Sequence, residues 1–193
     1  MKNLIIGISG ASGVIYGIRL LKILKELNSV ITHLIISDSA KKTLSLETNL
    51  SLNNIYNMSN VIHNINDISD NISSGSYKTI GMIILPCSIK TLSGIVNSYN
   101  DNLLIRAADV VLKEKRKLLL GVRETPLHIG HLRLMTLASE MGAIIMPPMP
   151  AFYYNPKNID DIINHTVGRF LDKFNFNISN KILKRWNGGV NKK

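Results

Sequence analysis

Leu4-Ile5-Ile6-Gly7-Ile8-Ser9-Gly10-Ala11-Ser12-Gly13, running straight into the pattern Val14 to Leu27, is the stretch that decides the fold. Leu4 to Ile8 is an apolar run of strand character, Ser9 to Gly13 is a turn of small and hydroxyl residues, and Val14 to Leu27 repeats apolar residues at helical spacing. Such a junction aims backbone N–H groups and the positive end of a helix dipole at one spot, which suits a phosphate. A glycine turn also serves strands that simply reverse into a packed helix, so this stretch alone raises a phosphorylated ligand only to an expectation. Its glycines fall at Gly7, Gly10 and Gly13, which is not the G-x-G-x-x-G spacing of a dinucleotide site. Asp38, near the end of the next apolar run, imitates the ribose-binding acid of that fingerprint, but a lone acid at a strand end more often belongs to a helix start.

The same unit recurs along the chain. Apolar, β-branched runs at Val30 to Ile36, Ile80 to Leu85, Leu118 to Val122 and Ala143 to Met146 are each followed by a turn and a helix-period stretch. A βαβα order predicts an α/β fold, a Rossmann-like three-layer sandwich whose mostly parallel sheet is covered on both faces. Between Ser45 and Thr79 the pattern weakens into asparagine-rich sequence, with Val61 to Ile65 as an edge-strand candidate. Ile159 to Phe174 reads as the last helix, with Ile159, Ile162, Ile163, Phe170, Leu171 and Phe174 on its apolar face and Asp160, Asp161, Asn164 and Lys173 outward. The tail 175–193 is polar apart from Ile182, Leu183 and Trp186, so it is expected either to dock through those residues or to fray.

At 193 residues and 45% hydrophobic content the chain is expected to form a single domain, 1–193. Lys2 precedes an apolar run, but that run is broken at Gly7 and Ser9, so neither a secretory leader nor a membrane span is expected. The single cysteine, Cys87, fits a reducing compartment, and a cytoplasmic location follows as the expectation. The net charge of +10 is scattered, and its densest cluster, Lys113, Lys115, Arg116 and Lys117, is interrupted by Glu114 with no aromatic residues interleaved. That argues against a nucleic-acid partner. His128 and His131 stand three apart without further ligands of metal-site type, so no metal is expected.

In open α/β sheets ligands lie beyond the carboxyl ends of the strands. Those ends carry Ser9 to Gly13, Ser37, Pro86-Cys87-Ser88-Ile89-Lys90-Thr91, Arg123-Glu124-Thr125-Pro126, and Pro147-Pro148-Met149-Pro150-Ala151-Phe152-Tyr153-Tyr154. Ser88 and Thr125 make ordinary helix N-terminal residues, yet clusters of hydroxyl, arginine and glutamate on one rim exceed what capping alone requires.

The segments Gly-Ile-Ser-Gly-Ala-Ser-Gly (7–13), Leu-Glu-Thr (46–48), Pro-Cys-Ser-Ile-Lys-Thr-Leu-Ser-Gly-Ile (86–95), Arg-Ala-Ala-Asp-Val-Val-Leu-Lys-Glu (106–114), Arg-Glu-Thr-Pro-Leu (123–127) and Pro-Ala-Phe-Tyr (150–153) resemble the UbiX-type flavin prenyltransferases nearly end to end. The resemblance implies a flavodoxin-like fold and FMN in its reduced form as co-substrate. It also implies transfer of a dimethylallyl group from dimethylallyl monophosphate to the flavin N5 and C6, without a metal. The product, prenylated FMN, would serve UbiD-type decarboxylases, including the one of ubiquinone synthesis.

By that resemblance Gly10, Ala11, Ser12, Ser37, Ser88, Ile89, Lys90, Thr91 and Arg123 contact FMN. Tyr153 and Arg169 bind the substrate phosphate, with Lys113 and Glu124 completing the pocket. Glu124 is the expected proton donor to the departing phosphate, and Ser12 and Glu47 are expected to relay protons near N5. Which of the two loops, at Ser9 to Gly13 or at Ser88, takes the FMN phosphate stays open. A homo-oligomer with sites between protomers is also implied, the Arg106, Asp109 and Lys113 stripe being either a neighbour's contribution or a solvated ion-pair face. The competing functions are an FMN-dependent cysteine decarboxylase and a non-catalytic FMN-binding module. The first is disfavoured by Cys87-Ser88-Ile89-Lys90 and by Met149-Pro150 where that class has Met-Asn. The second would leave Glu47, Lys113, Glu124, Tyr153 and Arg169 without a common purpose.

Overall fold

Leu4, Ile5, Ile6 and Ile8 are each at most 3% exposed, so the first strand is sealed on both faces rather than on alternate ones. The computed structural model describes residues 1–186 and Gly188; the end of the predicted tail lies outside the described residues. Two compact units are present, Met1–Pro147 and Pro148–Lys193.

In the first unit the elements are β1 (Lys2–Ile8), α1 (Val14–Leu27), β2 (Val30–Ile36), α2 (Asp38–Glu47), α3 (Leu52–Tyr56), β3 (Val61–His63), a 3-10 turn (Asn71–Ser73), β4 (Gly81–Cys87), α4 (Ile89–Val96), α5 (Leu103–Lys113), β5 (Lys117–Val122), α6 (Ile129–Glu140) and β6 (Ile144–Ile145). Among the described residues six strands form one all-parallel sheet in the order β3-β2-β1-β4-β5-β6. This is the Rossmann order; without the short edge strand β3 it reduces to the flavodoxin order. The chain therefore reverses direction across the sheet between β1 and β4, and the crevice of a doubly wound fold opens there.

Adjacent residues of β1 show the two helical layers. A Cβ on Gly7 would meet Leu104 of α5 at 2.5 Å, whereas Gly17 of α1 packs against Ile8 and against the Leu85 carbonyl. Successive strand residues point to opposite faces, so α1 and α5 cover opposite sides. Gly17 lets α1 approach β4 closely, which any larger residue would prevent.

Strand ends are laced together by backbone and hydroxyl groups. Ser9, 1% exposed, donates from both N–H and Oγ to the Pro86 carbonyl at 3.1 Å, and its Oγ accepts the Ser88 N–H at 2.7 Å. Ser37 N–H donates to the Ile8 carbonyl and Arg123 N–H to the Cys87 carbonyl, each at 3.0 Å. Cys87 packs here as a small apolar group, fully buried, its thiol pushed up to about 12 by burial.

The asparagine-rich middle holds a buried polar chain with no periodic signature. Tyr77 Oη lies 3.2 Å from His33 Nε2, His33 Nδ1 lies 2.8 Å from His63 Nε2, and His63 Nδ1 lies 2.6 Å from Asp70. Both rings neutral satisfies every link: Tyr77 donates to His33, His33 to His63, and His63 to the Asp70 carboxylate. Arg116 fixes the following loop by donating to the Gly75 and Tyr77 carbonyls at 2.6 and 2.8 Å.

In the second unit α7 (Ile159–Asp172) buries Ile163, His165, Thr166, Val167, Phe170 and Leu171. Ile159, expected on the apolar face, is 75% exposed at the first helical position, where the preceding turn offers nothing to cover it. Of the tail residues, Leu183 and Ile182 pack against Gly168 and Leu183 is buried there, Ile178 is buried as well, and Trp186 is 63% exposed.

Two outcomes follow from these contacts. Ser9→Ala leaves the Ser88 N–H without its acceptor and is expected to cost about 1–3 kcal/mol, read from the urea midpoint. Burial first, then the charge of His63, lowers His33 to about 4, with Asp70 opposing. The unfolded chain thus binds the extra proton first. Stability from this group is full above about pH 6.5 and falls as pH drops toward 4, by at most about 3 kcal/mol. Urea titrations across that window should show a slope in the wild type that flattens in His33→Gln.

Candidate active site

The α1 N-terminus, where a phosphate was first expected, is occupied by the protein itself. Gly13 stands at φ 97° in the left-handed region and has no side chain to cap the helix. Glu47, the last residue of α2, supplies the missing acceptor: its carboxylate takes the Gly13 N–H at 2.9 Å and the Val14 N–H at 3.1 Å. A negative charge on a helix N-terminus is favourable. Ser12, exposed, is the residue next to this capped turn.

Two other helix N-termini open on a cavity of about 500 Å³ at the crevice between β1 and β4. Its walls include Gly10, Ser37, Ser88, Lys90 and Thr91 from the sequence assignment, together with Ser39, Asn66, Asp101 and Asn102. Ser37 caps α2 by accepting the Ala40 N–H, and Ser88 caps α4 by accepting the Thr91 N–H at 3.3 Å and donating to Thr91 Oγ1 at 3.1 Å. Ala11 is buried beside Gly10 and Ile89 opens α4 half-buried. A substituted Gly10 would collide with Ser39, so the wall is already closely fitted there. Asp38 is the first residue of α2, ion-paired with Lys41 at 2.7 Å, which makes it a first-turn acid rather than a ribose ligand.

The volume falls within the range of small-molecule sites, and the paired N-termini suit a phosphate monoester better than the capped turn of α1 does. FMN fits this donor set. Hydroxyls of Ser37, Ser39, Ser88 and Thr91 and the Lys90 ammonium would hold its phosphate end.

Arg123 and Glu124 follow β5 on the same rim, both exposed. The charge of Arg123 reaches the Tyr16 phenol, opposing the upward push of burial on that group. Glu124 accepts the Thr125 N–H at 3.0 Å.

Lys113 is not brought to this rim within one chain. It ends α5, four residues before β5 begins, hence at the amino ends of the strands, and pairs with Glu114 at 2.6 Å. Arg106 and Asp109 of the same stripe do pair, at 3.1 Å, while Arg106 Nε also donates to the Ser73 carbonyl.

In the second unit Tyr153 and Arg169 cluster around a residue that sequence reading missed. Tyr153 Oη lies 2.8 Å from His165 Nε2, and Arg169, one helical turn beyond His165, acts on that imidazole electrostatically. Its sequence signal was only a polar residue on the buried face of α7. Asn102 was legible as a cap before Leu103-Leu104-Ile105, and it accepts the Ile105 N–H at 3.1 Å. Asn66 lies in the asparagine-rich middle, which carries no periodic pattern.

Residues 1–170 match the Flavoprotein family. The chain is 62% identical over 188 residues to the flavin prenyltransferase UbiX of Salmonella typhimurium, covering 97% of this chain and 100% of that relative. A crystal structure of AnUbiX (PadA1) in complex with FMN and dimethylallyl pyrophosphate superposes with a TM-score of 0.93 at 43% identity, covering 97% of this chain and 98% of that one. A dodecameric FMN-dependent UbiX-like decarboxylase from Escherichia coli O157:H7 superposes with a TM-score of 0.94 at 48% identity, covering 97% and 100%. The glycine turn, the rim of strand-end hydroxyls and these full-length likenesses place the chain in the UbiX family of flavin prenyltransferases.

Proposed function

We propose that this protein transfers a dimethylallyl group from dimethylallyl monophosphate to N5 and C6 of reduced FMN, and that the prenylated FMN passes to a UbiD-type decarboxylase such as that of ubiquinone synthesis. The observation that carries this reading is the cavity at the β1/β4 crevice, where Gly10, Ser37, Ser88, Lys90 and Thr91 converge on two helix N-termini. With α1 capped by Glu47, the FMN phosphate is assigned to the Ser37 and Ser88 ends, and Ala11, Ser12, Ile89 and Arg123 to the remainder of the flavin.

Reduced FMN, when bound, supplies the nucleophilic N5 and C6 positions. The protein's work is done on the other reactant. The allylic C–O bond must break with its electron pair leaving on phosphate, and that charge has to be met without a metal. Arg169 and the Tyr153 hydroxyl are assigned to its oxygens, with Glu124 delivering a proton as the bond breaks. Ring closure adds one proton to the remaining alkene carbon and removes one from C6, an exchange for which the departed phosphate and Glu47 are the assigned proton carriers. Ser12 stands next to Glu47's helix turn as the hydroxyl of that relay. The relative above was solved with the pyrophosphate, which shares the dimethylallyl group and the terminal phosphate chemistry with the monophosphate.

Lys113 reaches such a site only from a second copy, since its own chain holds it at the opposite ends of the strands. Helix α6 supports assembly: Ile129, Leu132 and Leu137 are 63%, 45% and 46% exposed, and Ala138 is the helix's buried residue among those described. Apolar exposure of that extent on a helix marks a contact surface. A homo-oligomer with sites between protomers is the proposed state. Among the described residues no helix is long and apolar enough to cross a membrane.

Incubation with reduced FMN and dimethylallyl monophosphate, without added metal, should yield a flavin heavier by one prenyl group in the mass spectrum; an unchanged mass refutes the proposal. The pyrophosphate in a parallel reaction identifies the preferred donor. Glu124→Gln should keep FMN and lose about a hundredfold or more in transfer rate. Leu132→Asp should lower the mass of the assembly in sedimentation, and retention of full activity by the resulting monomer would exclude shared sites.

A further inference from the structure

Tyr153 Oη has two neighbours that constrain its single proton. It donates to the Lys184 carbonyl at 3.3 Å, and it lies 2.8 Å from Nε2 of His165. A carbonyl can only accept, so with the phenolic proton turned to Lys184 the shorter contact must be donated by the imidazole. His165 is held firmly for that task. It is 4% exposed, and the Tyr154 ring stacks on it with centroids 4.3 Å apart and planes 10° from parallel. Tyr154 is itself anchored, its hydroxyl donating to the Asp161 carbonyl at 3.1 Å.

We propose that His165 is the positioning residue of the substrate-phosphate site: its Nε2–H donates to Tyr153 Oη and so directs the phenolic proton outward to a phosphate oxygen. The inference rests on the reading of Tyr153 and Arg169 as phosphate ligands. Were Nε2 bare, Tyr153 would donate to the imidazole and present lone pairs to an anion, which repels it. With Nε2 protonated, the phenol gives up the Lys184 carbonyl for the phosphate and keeps its inward bond, and a hydroxyl that accepts one hydrogen bond donates the other more strongly. Burial and the nearby Arg169 charge lower the His165 pKa, while the Lys184 carbonyl opposes them. The positioning needs only the one proton on Nε2, so a neutral His165 does it and adds no charge of its own beside Arg169.

In the FMN-loaded protein, Tyr153→Phe should raise KM for dimethylallyl monophosphate about tenfold, the value of one hydrogen bond to an anion. His165→Met should raise it by a similar factor, with kcat within about twofold and FMN affinity unchanged. His165→Gln, whose amide N–H can reach the same oxygen, should recover most of the loss. The double variant Tyr153→Phe/His165→Met should be no worse than Tyr153→Phe alone, because the imidazole acts through that hydroxyl. An unchanged KM in Tyr153→Phe overturns the phosphate reading itself. A raised KM there with a normal one in His165→Met overturns the role of His165 alone. Should the methionine variant fail to fold, the imidazole 15N spectrum of the wild-type protein decides: a proton on Nε2 is expected, and one on Nδ1 with Nε2 bare refutes the assignment.

Discussion

The Ser9 hydroxyl stands where β1 and β4 part, and the shape of the rim depends on it. The central strands β1, β4 and β5 are sealed on both faces and leave little room for polar chemistry along their length, so the polar groups of the rim gather at their ends. There the backbone groups must find partners or water. Ser9 answers for three of them, joining its own N–H and Oγ to the Pro86 carbonyl and receiving the Ser88 N–H. That last bond sets the first turn of α4 against the end of β1. The cavity bounded by Gly10 and Ser88 is the space left over once the bond is made.

Around this anchor the helix N-termini are divided between internal and external partners. The α1 dipole is answered within the chain by Glu47, while α2 and α4, capped by their own serines, turn toward the cavity. A capping serine satisfies one N–H of its helix but adds no formal charge, and the first-turn carboxylate of Asp38 on α2 is already paired with Lys41, so the positive ends stay available to an anion. A glutamate satisfies the N–H groups and cancels the field together. The residue type at each helix start therefore separates structural turns from binding turns.

Local signals in the sequence were enough for the framework. Val14–Leu27 is the α1 of the structure, and the five apolar runs fall on β1, β2, β4, β5 and β6, because β-branched runs between glycine turns have few other uses in a chain of this length. The serines at 37 and 88 were visible for the same reason, standing directly before helical periodicity. What stayed hidden was long-range and polar. Glu47 meets Gly13 across 34 positions, His33 meets His63 across 30, and Ser9 meets Ser88 across 79. No spacing rule links such pairs; they are products of strand order. His165 was obscured differently, since on a helix face a buried histidine carries the same periodic signature as a leucine. Lys113 shows the opposite limit. The resemblance gave it a role, while the topology of a single chain carries it to the far ends of the strands.

The carboxylate on the α1 turn also has a bearing on which metabolites the fold can ignore. Strand order and a glycine-rich first turn are the equipment with which related architectures greet the pyrophosphate of adenine dinucleotides, which cells hold in abundance. Here any diphosphate approaching Gly13 and Val14 meets a competitor of like charge, tethered by the chain and already seated on both N–H groups. Tethering gives that competitor an effective concentration no dissolved metabolite needs to be excluded by hand to match. The two N–H groups at the start of α1 are thereby withdrawn from anion binding without a clash or a bulky side chain at the turn.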